Sequence, residues 1–132
     1  MENSSIILEP LPDRFTVAKL TSADRFDFRG DFWFLAKTDE EISLVCRTAD
    51  VPESVTDRED GWKMMRIQGT LDFSLVGILS GIAELLARSD ISIFVQSTYN
   101  TDYILIKEEK LEQALQVLKH AGYGITEPFV RR

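Results

Sequence analysis

The sequence predicts an α+β fold made of two consecutive units, each an antiparallel sheet that carries its helices on one face. Two observations predict it. Residues 62–127 show the patterns of strand, helix, strand, strand, helix and strand in that order, and residues 15–48 repeat the strands without clear helices. The βαββαβ order is that of the ferredoxin-like fold. Such a sheet leaves its second face for a partner to cover.

The second unit, 61–132, has the clearer pattern. Apolar residues recur at intervals of three and four in both of its helices, as at Leu75, Ile78 and Leu79. Gly122 is expected to end the second helix in a left-handed conformation. The predicted elements are the strand Trp62–Thr70, the helix Ser74–Ser89, the hairpin strands Ile91–Thr98 and Tyr103–Lys107, the helix Lys110–Ala121 and the strand Tyr123–Glu127.

The first unit, 1–60, is predicted to be a degenerate copy in which the helices are reduced. The segment Thr21–Asp31 fits a single irregular helical turn, and Ile6–Leu8 either begins an edge strand or tethers the terminus. The charged segment Asp50–Gly61, which contains Pro52, is predicted to connect the two units. The predicted strands are Phe15–Leu20, Phe32–Lys37 and Ile42–Thr48, the last two joined by the turn Thr38–Glu41.

The composition excludes several classes of protein. The 132 residues carry a net charge of −7, which opposes binding to nucleic acid. No apolar run is long enough to cross a membrane, and the acidic start is not a secretory signal. One cysteine and one histidine form neither an internal disulfide nor a zinc site, so we expect no metal, no cofactor and a cytoplasmic location.

Two polar segments are candidates for binding a ligand. The turn Gly69–Ser74 precedes a helix, where unpaired amides attract a carboxylate. Asp72 or Ser74 would alternatively serve as the helix N-cap and satisfy those amides internally. The segment Ser97–Asp102 offers six consecutive polar side chains between two strands, or it is simply a solvated hairpin turn.

The sequence gives little support to catalysis. It has no Ser/His/Asp set and no phosphate-binding glycine loop. Cys46 lies in an apolar strand and is expected to be a small core residue, while His120 is expected to interact with the negative end of its helix. We therefore predict that the protein is not an enzyme.

The residues from Trp62 to Leu79 and from Ile93 to Ile106 resemble the ACT domain. More narrowly, the chain resembles small bacterial tandem ACT proteins related to the CASTOR arginine sensors. The most specific part of the resemblance is the run Ser-Thr-Tyr-Asn-Thr-Asp-Tyr at 97–103. One departure is that Leu71, Asp72 and Phe73 occupy a loop in which many ligand-binding ACT domains have glycine.

The resemblance implies a regulatory protein that binds a small molecule, often an amino acid, between two ACT units that pair through their sheets. This chain would reach that arrangement as a homodimer, with a regulated protein as a further possible partner. Asp102 would bind a positively charged group of the ligand. The residues implied at the ligand are Leu71, Asp72, Phe73, Ser74 and Val76 on one side and Ser97, Thr98, Tyr99, Asn100, Thr101 and Asp102 on the other. The alternative function is a protein assembly module without a small ligand.

Overall fold

The computed structural model describes residues 6–22, 28–68 and 77–126. The chain divides into two compact units. The helical unit comprises Met1–Pro12 and Lys63–Arg132, and the hairpin unit comprises Asp13–Trp62. Within the described residues the elements are β1 (Ile7–Leu20), β2 (Trp33–Lys37), β3 (Ile42–Arg47), a 3₁₀ turn (Thr48–Asp50), β4 (Val55–Ile67), α1 (Ile78–Arg88), β5 (Ile93–Ser97), β6 (Asp102–Lys107), α2 (Glu108–His120) and β7 (Gly124–Ile125).

The division into units differs from the prediction at the start of the chain. The boundary after Trp62 lies close to the predicted one after residue 60, but the first twelve residues join the helical unit instead of the hairpin unit. They do so because the first residues of β1 pair in parallel with β7, through Ile7 with Gly124 and Leu8 with Ile125. A short apolar patch gives no sign of this pairing, since its partner lies over 100 residues away in the sequence.

Strand β1 is longer than predicted and continues through Pro10 and Pro12. The carbonyls of Ile6 and Leu8 accept hydrogen bonds at the β7 edge, so even-numbered residues here direct their backbone groups to that edge. Among the described residues, pairing on this edge covers Ile7 and Leu8 and then resumes at Phe15 with β3. The prolines fall between these two paired stretches, where a missing N–H costs no ladder hydrogen bond.

Strand β4 begins at Val55, so the prediction that Asp50–Gly61 is only a connector is wrong. Residues 56–60 are all exposed, and therefore no alternation of apolar side chains marks this part of the strand. It is held instead by backbone groups and by contacts such as the hydroxyl of Thr56, which donates to the carbonyl of Lys19 at 3.2 Å. This segment is a strand because it pairs with β1. Backbone pairing leaves no recognisable pattern in a charged sequence.

In the helical unit both helices pack on one face of the sheet, as predicted. The neighbouring strands follow the order β7, β1, β4, β6, β5. Each fully buried aliphatic side chain in the core between helices and strands contributes about 1.5–3 kcal/mol to stability. The buried core comprises Ile6, Leu8, Met65, Ile67, Ile78, Ile82, Leu86, Ile91, Ile104, Ile106, Ala114, Leu118 and Tyr123.

The other face of this sheet is not bare, contrary to the expectation of an uncovered surface. Met64 and Leu105 alternate with the core residues along β4 and β6, and both are fully buried within the single chain. Phe94, on the same face of β5, is half-buried. A partner is therefore not needed to bury this part of the sheet.

Helix α1 begins at Ile78, four residues after the predicted start, and Gly77 occupies its N-cap. Asp72 and Ser74, which were considered as N-caps, lie outside the described residues. Gly77 has φ of +89°, a left-handed conformation that glycine adopts without the steric cost of a Cβ. Gly122, with φ of +99°, ends α2 as predicted, and the amide of Tyr123 closes the turn on the carbonyl of Leu118.

In the hairpin unit the neighbouring strands follow the order β2, β3, β1, β4. Leu20, Leu44 and Cys46 form a small buried core, and Trp33 and Val51 pack against it. The buried hydroxyl of Thr16 donates to the carboxylate of Asp60 at 2.7 Å. Five of the eleven residues of the predicted helical turn at Thr21–Asp31, namely 23–27, lie outside the described residues.

Candidate ligand-binding site

The predicted polar segment forms the turn between β5 and β6. We call residues 98–101 the polar turn. The amide of Thr98 donates to the carbonyl of Thr101 at 2.8 Å, which closes the turn. The Thr98 hydroxyl adds a bond of 3.1 Å to the same carbonyl and accepts one of 3.3 Å from the Thr101 amide. These bonds fix the backbone of a turn that has neither glycine nor an Asn-Gly pair.

Ser97 and Asp102 face each other at the last paired position of the two strands. The Ser97 hydroxyl donates to Oδ1 of Asp102 at 2.6 Å, and this bond orients the carboxylate. Asp102 is half-buried and Ser97 is exposed. An oriented carboxylate at a partly screened position is suited to bind an ammonium or guanidinium group.

The four residues of the polar turn differ sharply in burial. Thr98 and Asn100 are exposed, and Tyr99 is exposed over 89% of its surface. Thr101 is buried, with 7% of its surface exposed. Three of the predicted ligand residues are thus accessible from outside, whereas Thr101 points into the protein.

The hydroxyl of Thr101 donates to the backbone carbonyl of Ile67 at 2.7 Å in a buried hydrogen bond. Ile67 is the last residue of β4, and the predicted ligand loop comes after it in the chain. Ile67 was not predicted as part of the site, because the group involved is a backbone carbonyl, which every residue has. No residue type or spacing could have indicated it.

The other predicted side of the site lies outside the described residues. Leu71, Asp72, Phe73, Ser74 and Val76 all fall in the segment 69–76. The structure describes the residues at its two ends, Gln68 and Gly77. The amide of Gln68 donates to the carbonyl of Ile7 at 2.9 Å, so β1 holds the chain where the segment begins.

Arg66, the residue before Ile67 on β4, belongs to a basic and aromatic group. The guanidinium of Arg66 lies 5.5 Å from the ring centroid of Tyr103, a cation–π distance, and 4.0 Å from the carboxylate of Glu9. Arg66 comes after Met65 and before Ile67, both in the helix-side core, so it belongs to the opposite face of the sheet. These contacts link β1, β4 and β6, and β6 is the strand that begins with Asp102.

The described residues offer no group of three or more His, Cys, Asp and Glu side chains placed to hold a metal ion. Cys46 is fully buried, and burial raises the pKa of its thiol to about 11. A thiol with this pKa is protonated at neutral pH and is not a nucleophile. The interpretation of Cys46 as a core residue is confirmed.

Comparison with known proteins identifies the segment that contains this site. Residues 57–120 match the model of the ACT domain family, from within β4 to the end of α2. This match confirms the predicted resemblance to the ACT domain over that segment. The match includes the polar turn and the whole segment 69–76.

Individual proteins are also similar to this chain. The human protein named "Cytosolic arginine sensor for mTORC1 subunit 1" is 38% identical over 65 residues, which are 48% of this chain and 20% of that protein. The chain thus covers about a fifth of the length of the curated relatives it matches. Among solved structures, a protein from Agrobacterium tumefaciens is 28% identical, with a TM-score of 0.84 and 96% of each chain covered.

The fold also resembles more distant regulatory proteins. The regulatory subunit of aspartate kinase from Thermus thermophilus superposes with a TM-score of 0.62 at 12% identity, covering 86% of this chain and 95% of that one. At this identity the likeness concerns the fold alone.

In the part of the chain that the structure describes, neither helix has the length and apolar character needed to span a membrane.

Proposed function

We propose that this protein is a non-enzymatic regulator that binds an amino acid at its ACT domain and acts as a homodimer in the cytoplasm. The observation that carries the proposal is the oriented carboxylate of Asp102 beside a polar turn that is hydrogen-bonded to the end of β4. The ligand would lie between this turn and the segment 69–76, where Leu71, Asp72, Phe73, Ser74 and Val76 would contact it.

The proposed ligand carries a positive charge in addition to its α-amino group. Among the described residues Asp102 makes no ion pair, and its described polar contact is the Ser97 hydroxyl. The curated relatives that the chain matches over 65 residues are named as arginine sensors. L-arginine is therefore the first amino acid to test, although the matched segment covers a fifth of those proteins.

Calorimetric titration of the purified protein with the twenty amino acids tests this function. We expect a cationic amino acid to bind, and Asp102→Asn to weaken its affinity at least tenfold because a charge-assisted hydrogen bond is lost. Glu40→Gln is the matched control, since Glu40 is an exposed acid in the corresponding turn of the hairpin unit. Absence of heat with all twenty amino acids would exclude the function, and unchanged binding by Asp102→Asn would exclude this role of Asp102.

We also propose that the hairpin unit is a degenerate first ACT repeat, and that two copies of the chain associate through their sheets. The two hairpins support a repeat because their strands pair in the same register. The strands β2 and β3 pair with Trp33 opposite Cys46, and β5 and β6 pair with Ile93 opposite Ile106, a shift of 60 residues at both positions. Light scattering at tens of micromolar would give the mass of two chains, and the mass of one chain would exclude the homodimer.

The second candidate is an assembly module without a small ligand, which would bind a protein partner. It is favoured by β2, an edge strand of the hairpin unit on which Leu35 is 39% exposed. Exposed edge strands are sites of pairing with other chains. This function would be supported over the first if Leu35→Lys dissociates the dimer and if added amino acids leave the dimer unchanged.

A further inference from the structure

The four residues of the polar turn perform different tasks. Thr98, Tyr99 and Asn100 are exposed and accessible to a ligand, whereas Thr101 is buried. The Thr101 hydroxyl donates its proton to the carbonyl of Ile67 at 2.7 Å. A hydroxyl used in this way has no proton left to donate to a ligand.

The acceptor lies at the end of β4, where the next residue already bonds to another strand. Ile67 is 1% exposed, and the amide of Gln68 donates to the carbonyl of Ile7. The Thr101 bond therefore joins the polar turn to the end of β4. It is a side-chain bond between residues 34 positions apart.

We infer that Thr101 is a positioning residue for the ligand site: its hydroxyl ties the polar turn, and with it Asp102, to the end of β4 at Ile67, without contacting the ligand. The inference rests on the proposed function and assigns to Thr101 a role different from that of a ligand contact. Asp102 is the next residue in the chain, so its carboxylate moves with the turn. Loss of the Thr101 hydroxyl would displace Asp102 relative to β4.

Thr101→Val tests the inference because valine has nearly the same shape but no hydroxyl. It leaves the buried carbonyl of Ile67 without this donor, and the turn is expected to shift to admit water. We expect the affinity for L-arginine, measured by calorimetry, to fall at least tenfold. Thr101→Ser keeps the hydroxyl and is expected to remain within about threefold of the wild-type affinity.

Two controls separate positioning from a general loss of stability. Thr56→Val removes a comparable bond, from a threonine hydroxyl to the carbonyl of Lys19, in the hairpin unit. Ile82→Val weakens the core of the helical unit without touching the polar turn. At a temperature where every variant is folded, both controls are expected to bind L-arginine as the wild type does.

Hydrogen exchange on the ligand-free protein provides a readout independent of binding. In Thr101→Val the amides of Thr98 and Gln68 are expected to exchange several-fold faster, since the turn and the end of β4 are no longer joined. The amides of Gly122 and Tyr123, at the end of α2, are expected to exchange at unchanged rates.

The outcomes distinguish the inference from the function on which it rests. Wild-type affinity in Thr101→Val, or an equal loss in Thr101→Ser, would overturn the positioning role while leaving the proposed function intact. If the wild-type protein binds none of the twenty amino acids, the proposed function fails and the role at a ligand site fails with it. Unchanged exchange at Thr98 and Gln68 would show that the bond does not join the two segments.

Discussion

The two hairpins of the molecule have nearly the same backbone but different side chains at their turns. Each has a strand of five residues, a turn of four and a strand of six. Each turn begins with threonine, and the amide of that threonine donates to the carbonyl three residues later, at 2.9 Å for Thr38 and 2.8 Å for Thr98. Burial along β3 and β6 is also the same, with three consecutive buried residues in the middle.

The two turns differ in the three residues after the initial threonine. In the hairpin unit the turn continues with Asp39, Glu40 and Glu41, all exposed. In the helical unit the position that corresponds to Glu41 is Thr101, which is buried and bonded to β4. One turn is thus acidic and solvated, and the other is joined to the sheet, so a common backbone supports a candidate site in one unit alone.

The segments after the two hairpins differ for a local reason. After β6 the chain continues as α2 for 13 residues, with Glu108 and Glu109 in its first turn. Acidic side chains there interact favourably with the helix N-terminus. After β3 the chain forms a 3₁₀ turn of three residues, Thr48–Asp50, and Pro52 follows two residues later. A proline at this distance prevents further helical hydrogen bonding.

The largest effect is expected from truncating matched core residues of the two hairpins. Leu44 and Ile104 hold corresponding positions in β3 and β6, and both are fully buried. Leu44→Ala and Ile104→Ala should each reduce the free energy of unfolding by about 2–5 kcal/mol because each leaves a cavity. Urea denaturation measures both losses. A loss below about 1 kcal/mol in either variant would show that the two strands are not equivalent in packing.

A titration effect should distinguish Cys46 from its counterpart Ile106. Burial raises the pKa of the Cys46 thiol from 9.0 to about 11. Between these values the unfolded chain has lost the proton that the folded chain keeps, so stability falls as the pH rises from 9 toward 11. The expected loss in the free energy of unfolding is about 2 kcal/mol between pH 9 and pH 11. No such loss is expected well below pH 9.

Cys46→Ala provides the comparison, because the other groups that titrate above pH 9 remain in both proteins. The free energy of unfolding, measured with urea at several pH values, should converge for the two proteins as the pH rises. A constant difference between them from pH 8 to pH 11 would mean that the thiol does not contribute this dependence.

The smallest effect concerns the threonines that begin the two turns. The Thr38 hydroxyl accepts bonds from the amides of Glu40 and Glu41, at 3.1 and 3.2 Å. Thr98 bonds to Thr101 in the same region of its turn. Thr38→Val and Thr98→Val should each cost about 0.5–1 kcal/mol, as expected for hydrogen bonds between neutral groups. Thermal unfolding would measure this, and a cost confined to one variant would show that the turns are closed differently.

The sequence by itself determined most elements of the helical unit and the two hairpins. Its apolar periodicity placed α1 and α2 and the strands β5 and β6 to within a few residues, and Gly122 marked the end of α2. These features depend on residues near each other in the chain. The polar character of 97–102 likewise indicated one side of the candidate site, because a run of hydroxyl and amide side chains is visible without a structure.

Only the tertiary structure decided the extent of β1 and β4 and the task of Thr101. The start of β1 pairs with β7, the exposed half of β4 runs beside β1, and the Thr101 hydroxyl meets a backbone carbonyl 34 residues away. Backbone pairing partners carry no residue-specific mark, and a threonine in a turn has the same sequence pattern whether its hydroxyl faces water or the sheet. The physical reason is that these hydrogen bonds join distant segments, so they exist only once the chain has folded.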